Sequence, residues 1–90
     1  MSSVRLVIQG RVQGVGFRHF VQTRAAEIDI VGTVRNRSDG GVEVQAQGDP
    51  AALKTFVQVV CRGPAHARVD EVVEEWGDQA ARTADFRIIA

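Results

Sequence analysis

Gly10-Arg11-Val12-Gln13-Gly14-Val15-Gly16-Phe17-Arg18 brings three glycines and two arginines into one short segment, a mixture suited to holding an anion. Glycines let the chain curl so that successive backbone N–H groups point inward and form a nest of phosphate size. The segment joins a strand pattern to a helix pattern, where unpaired amides and the helix dipole converge. Arg18 falls in the first turn of that helix, and its planar guanidinium can hold two phosphate oxygens at once. The spacing is neither G-x-G-x-x-G nor G-x-x-x-x-G-K-[ST], which excludes the dinucleotide and P-loop readings on pattern. Many glycine-rich loops are plain tight turns, so on pattern alone an anion cradle and a structural turn are both open.

Other reactive side chains are scarce. His19 adjoins Arg18, but neighbours in a helix point about 100° apart, which assigns His19 to the surface or the rim of a site. His66 follows Gly63-Pro64 and is expected in solvent. Cys61 invites comparison with cysteine phosphatases, yet Ala67 stands where their loop needs its arginine and Arg68 is one step too far. Its helical spacing with Phe56, Val57 and Val60 makes it a buried packing thiol. One cysteine allows no internal disulfide, and with two histidines far apart neither a structural zinc site nor another bound metal is expected.

Net charge is zero, but it is unevenly spread. Residues 1–37 carry six Arg against two acids, and residues 38–90 carry five basic and nine acidic groups. No acid precedes Glu27, so the first quarter of the chain presents a positive field that favours an anionic ligand. Neutral net charge argues against nucleic acid. The apolar stretches are short and the amino terminus lacks a basic-then-apolar pattern; neither a membrane span nor export is expected, and a cytoplasmic location follows as the default.

The elements that must position the loop are readable. Val4, Leu6 and Ile8 alternate along a strand that runs up to Gly10. From Phe17 the spacing becomes helical, with Phe20, Val21, Ala25 and Ile28 on one stripe. Residues 33–37 and 41–47 read as two strands joined across Ser38-Asp39-Gly40-Gly41, with Val42, Val44 and Ala46 on one face and Glu43, Gln45 and Gln47 on the other. Asp49 is the expected N-cap of a second helix with Pro50 in its first position, and Gly63 is its expected left-handed end. Residues 67–76 form a strand with a bulge, and 85–89 a short last one.

This order predicts one α+β domain over residues 1–90: a ferredoxin-like split βαβ sandwich, βαββαβ, with a mainly antiparallel four- to five-stranded sheet and two helices on one face. A right-handed crossover makes the first two strands parallel, so the glycine loop and Asn36 end on the same rim. With the third strand between them, about 10 Å of sheet separates the two. Asn36 shares strand parity with Val34 and is expected to face the helices.

The glycine loop resembles the acylphosphatase signature G-x-V-Q-G-V-x-F-R, matched by Gly10, Val12, Gln13, Gly14, Val15, Phe17 and Arg18. A second motif of that family, G-aromatic-V-x-N-x-x-x-G-x-V and a further Gly, is similar to Gly32, Val34, Asn36, Gly40, Val42 and Gly48. The resemblance implies an enzyme that cleaves small-molecule acyl phosphates without cofactor or metal; a monomer is the simplest expectation for a site contained in one small domain. It implies that Arg18 and the backbone of Arg11, Val12, Gln13, Gly14, Val15, Gly16, Phe17 and Arg18 hold the phosphoryl group, while Asn36 orients the attacking water. Two positions depart from the family. Thr33 replaces the usual aromatic, which is expected to remove packing near the site, and Asp29 stands where glycine is common at the end of the first helix. A non-catalytic anion-binding or regulatory module on the same fold is the alternative. RNA binding is weaker still, because residues 41–48 offer none of the aromatics an RNA-reading sheet needs.

Overall fold

Each strand and helix forms where the sequence switches its apolar period. The computed structural model describes residues 1–90. Its elements are β1 (Ser2–Arg11), α1 (Phe17–Glu27), β2 (Val31–Asn36), β3 (Val42–Gly48), α2 (Pro50–Arg62), β4 (Arg68–Gly77) and β5 (Phe86–Ile88). The sheet runs in the order β4-β1-β3-β2-β5. β3 is antiparallel to both β1 and β2, which makes those two parallel, and β5 adds to β2 in parallel. The expected ferredoxin-like sandwich is therefore present with five strands. No helix is long and apolar enough to cross a membrane.

One core holds the layers together. Val4, Leu6 and Ile8 of β1, Val34 of β2 and Val42, Val44 and Ala46 of β3 join Phe17, Val21 and Ala25 of α1 and Leu53, Phe56, Val57 and Val60 of α2 in a single cluster. Both helices therefore cover one sheet face. Fully burying an aliphatic or aromatic side chain contributes about 1.5–3 kcal/mol before entropy is counted, so this cluster is what fixes the rim of the sheet. Asp49 caps α2 by accepting from the amides of Ala51 and Ala52 at 3.1 and 3.4 Å.

Several expectations shift in detail. The hairpin strands begin at Val31 and end at Gly48, because Val31 and Gly32 pair with Gln47 and Ala46. Arg37 and Gly41 fall in the turn, where the Arg37 amide donates to the Gly41 carbonyl at 2.8 Å. The bulge leaves Asp70 unpaired: Gln9 faces Glu71 and Gly10 faces Val69. Gly63 has the positive φ expected of it, 69°, but ψ is 176°, so the chain leaves α2 extended rather than left-handed. A Cβ there would lie 3.0 Å from the Phe17 ring, so glycine also lets α2 close onto the start of α1. Cys61 is half-buried against the core rather than enclosed; burial, then the charge of Glu74, pushes its thiol above the ordinary value.

Candidate active site

The loop between β1 and α1 is anchored in the core at both ends. Val12 and Phe17, each 1% exposed, plug into the core, so only their backbones can meet a ligand. Between them Gly14 and Gly16 take φ of 74° and 77°, a region that side chains resist. A Cβ on either would meet open space; the backbone turn, not close packing, requires glycine here. The amides of Val12, Gln13, Gly14, Val15 and Gly16 donate to no protein acceptor. The first bond of α1 runs from Phe20 to Gly16 at 3.0 Å, which leaves the Phe17, Arg18 and His19 amides without intrahelical partners. No side chain caps this end of α1.

Arg18 differs from every other arginine in the chain. Arg5, Arg24, Arg35, Arg37, Arg68 and Arg87 each lie against a carboxylate. Arg11, Arg62 and Arg82 are exposed, while Arg18 is half-buried with no acidic partner. A guanidinium that is partly desolvated and uncompensated favours an anion beside it.

Asn36 ends β2 on the same rim. Val72, Ile8, Val42 and Asn36 stand side by side across four strands, so Asn36 is the polar end of an otherwise apolar row facing the helices. Its Oδ1 is buried and has no donor within the protein. An unsatisfied buried oxygen costs about 1–3 kcal/mol, and a water or ligand hydrogen aimed at it removes that cost. Parallel β1 and β2, with β3 between them, bring this oxygen and the free amides to one edge, as the element order requires.

The Gln13 side chain turns away from the cradle. Its Nε2 donates to the carbonyls of Arg37 and Gly41, both at 2.8 Å, bridging the loop to the mouth of the β2–β3 hairpin. The tip of that hairpin is held by Asp39, which accepts from Arg37 Nε, the Gly41 amide and Gln9 Nε2. The Arg37 hydrogen bond, then the Gly41 amide, lowers the Asp39 carboxyl from 3.8 to about 2. Sequence alone pointed to the Gln13 backbone and missed its side chain, although a long amide fixed within a glycine motif was a signal for such a bridge.

Thr33 is a correction. It pairs with Gln45 and Arg87 and lies on the face away from the helices, opposite to Val34 and Asn36. Loss of the usual aromatic therefore thins the open face of the sheet and leaves the rim untouched. His19 and His66 are exposed, and no three His, Cys, Asp or Glu side chains converge anywhere. A cleft of about 220 Å³ between Ser3, Arg5, Gln47, Glu75 and Trp76 opens at the start of β1, the end remote from the loop.

A split βαβ sandwich whose rim combines free amides, one uncompensated arginine and one orphaned carboxamide oxygen defines a protein class built to hold a small anion. The model of the acylphosphatase family matches residues 4–88. A Salinibacter ruber acylphosphatase is 47% identical over 81 residues, covering 90% of this chain and 85% of the relative. One from Geobacillus thermodenitrificans is 39% identical over 89 residues, covering 99% and 95%. The crystal structure of the Bacillus subtilis acylphosphatase superposes over the whole of both chains with a TM-score of 0.96 at 38% identity. This chain belongs to the acylphosphatase family.

Proposed function

We propose that the protein hydrolyses the carboxyl-phosphate anhydride of small acyl phosphates, with Arg18 and the amides from Arg11 to Arg18 holding the phosphoryl group and Asn36 orienting water. The observation that carries the reading is the pairing, on one rim, of a half-buried unpartnered Arg18 with the orphaned Oδ1 of Asn36. The water donates one hydrogen to that Oδ1 and directs its lone pair at phosphorus. A P–O bond to water forms as the bond to the acyl oxygen breaks, and the electron pair leaves with the carboxylate. A carboxylic acid has a pKa of about 4, so its anion departs without a general acid. The water's remaining proton passes to a phosphoryl oxygen. Charge on the equatorial oxygens is met by the guanidinium and the inward amides, a preorganised set that needs no rearrangement during the reaction.

Because the cradle grips only the phosphoryl end, acetyl, carbamoyl and benzoyl phosphates are all expected to react. Every residue of the site comes from one chain, which supports a monomeric enzyme. The test is loss of benzoyl phosphate in excess chelator, measured against the uncatalysed background. Acceleration that survives chelation is expected. No acceleration would leave a non-catalytic anion-binding module, and restoration by added metal would contradict the proposed charge balance.

A further inference from the structure

We infer that the side chain of Gln13 is a positioning residue that sets the distance between the phosphate cradle and Asn36. The inference rests on the reading of the site above. The cradle hangs from β1 and Asn36 from β2, and no backbone hydrogen bond joins the loop to the β2–β3 hairpin. The two bonds from Gln13 Nε2 to the carbonyls of Arg37 and Gly41 are the direct polar link between them. Arg37 directly follows Asn36 in the chain, and Gly41 lies across the turn from Arg37. Both hydrogens of the amide are used, so the side chain can neither rotate nor slide without losing a bond. Asn36 orients water by one oxygen only, and that water must meet phosphorus in line. Displacement of about 1 Å at such a site costs up to about 10²-fold in rate, whereas phosphate held by amides and Arg18 on the β1 side is not displaced by it.

The test compares wild type with Gln13→Met, which keeps length and removes both donors, using benzoyl phosphate as substrate and inorganic phosphate as competitive inhibitor. The expected result is a fall of roughly 10- to 100-fold in kcat with the phosphate inhibition constant changed less than about threefold. Equal turnover, or parallel loss of turnover and phosphate binding, overturns the inference. The melting transition of each protein reports whether it folds.

If Gln13→Met does not fold, Gln13→Glu decides. At neutral pH its carboxylate keeps the length of the side chain but offers no donor to the two carbonyls, with Arg37 and Asp39 already paired to each other. The same selective fall in kcat is expected at pH 7.5, with the phosphate inhibition constant again changed less than about threefold; turnover equal to wild type overturns the inference. A wild type that fails to turn over benzoyl phosphate would instead sink the reading of the whole site.

Discussion

The two faces of this sheet treat their charges in opposite ways. On the open face, Glu43 is only 5% exposed although it lies on the side without helices. It accepts from Arg5 and Arg35, each at 2.7 Å, and Arg5 also reaches Glu75 at 2.6 Å. Burial alone would raise the Glu43 carboxyl; the hydrogen bonds from Arg35 and Arg5 outweigh it and hold the group below its ordinary value. The buried charge there is answered by two others. At the rim, Arg18, the loop amides and Asn36 Oδ1 are answered by nothing in the protein. Paired charges stabilise a fold, whereas unpaired ones at the end of a rigid sheet are held ready for a ligand.

That contrast can be broken by exchanging the two kinds of arginine. Arg18→Ala should lower kcat/KM for benzoyl phosphate by between about 10² and 10³-fold and weaken inhibition by inorganic phosphate as well. Arg35→Ala should leave turnover unchanged and lower the melting temperature. Equal losses from both would erase the distinction between the faces. Next in size is Asn36→Ala, expected to reduce kcat about 10²-fold with phosphate still bound; full turnover would end the water-orienting role.

The open face answers to stability instead. Glu43→Gln should cost about 1–2 kcal/mol in urea unfolding at neutral pH, a figure discounted because both arginines are partly solvated. Glu43 and Asp39 both have folded values below their unfolded ones. The Asp39 contribution is present above pH 3.8 and declines as pH falls toward about 2, and that of Glu43 is present above pH 4.5 and is lost as pH falls through its lower folded value. Glu43→Gln should therefore flatten the acid limb of the stability curve, and an unchanged limb would show that the network contributes nothing. The smallest effect concerns Asp29, the sole non-glycine with positive φ, at 57°. Asp29→Gly should stabilise by about 0.5–1 kcal/mol, read from the same unfolding curves, with activity unaltered.

How far the sequence revealed the molecule follows the range of the interactions. Alternation in Val4, Leu6 and Ile8, the Asp49-Pro50 start of α2 and the Gly14 and Gly16 turn are local, and each was legible. The face occupied by Asn36 was legible too, since parity with Val34 decides it. Glu43 was not: its parity placed it on the solvated side, and only the register that sets Arg5 and Arg35 beside it encloses it. The family motif suggests that Thr33 thins the packing near the site, although its own parity puts it on the other face. The Gln13 bridge spans 24 and 28 residues; the long amide within the glycine motif hinted at a bridge, but its partners emerged only from the fold.

The central claim is that the unanswered groups of the rim, and not the charges of the open face, receive the phosphoryl group. Titration of ¹⁵N-labelled protein with inorganic phosphate tests it most directly. Saturable shifts with a single dissociation constant are predicted for the amides from Val12 to His19 and for Arg18 Nε, while Arg5 Nε and Arg35 Nε stay in place. A silent loop, or saturation centred on Arg5 and Arg35, would contradict the account.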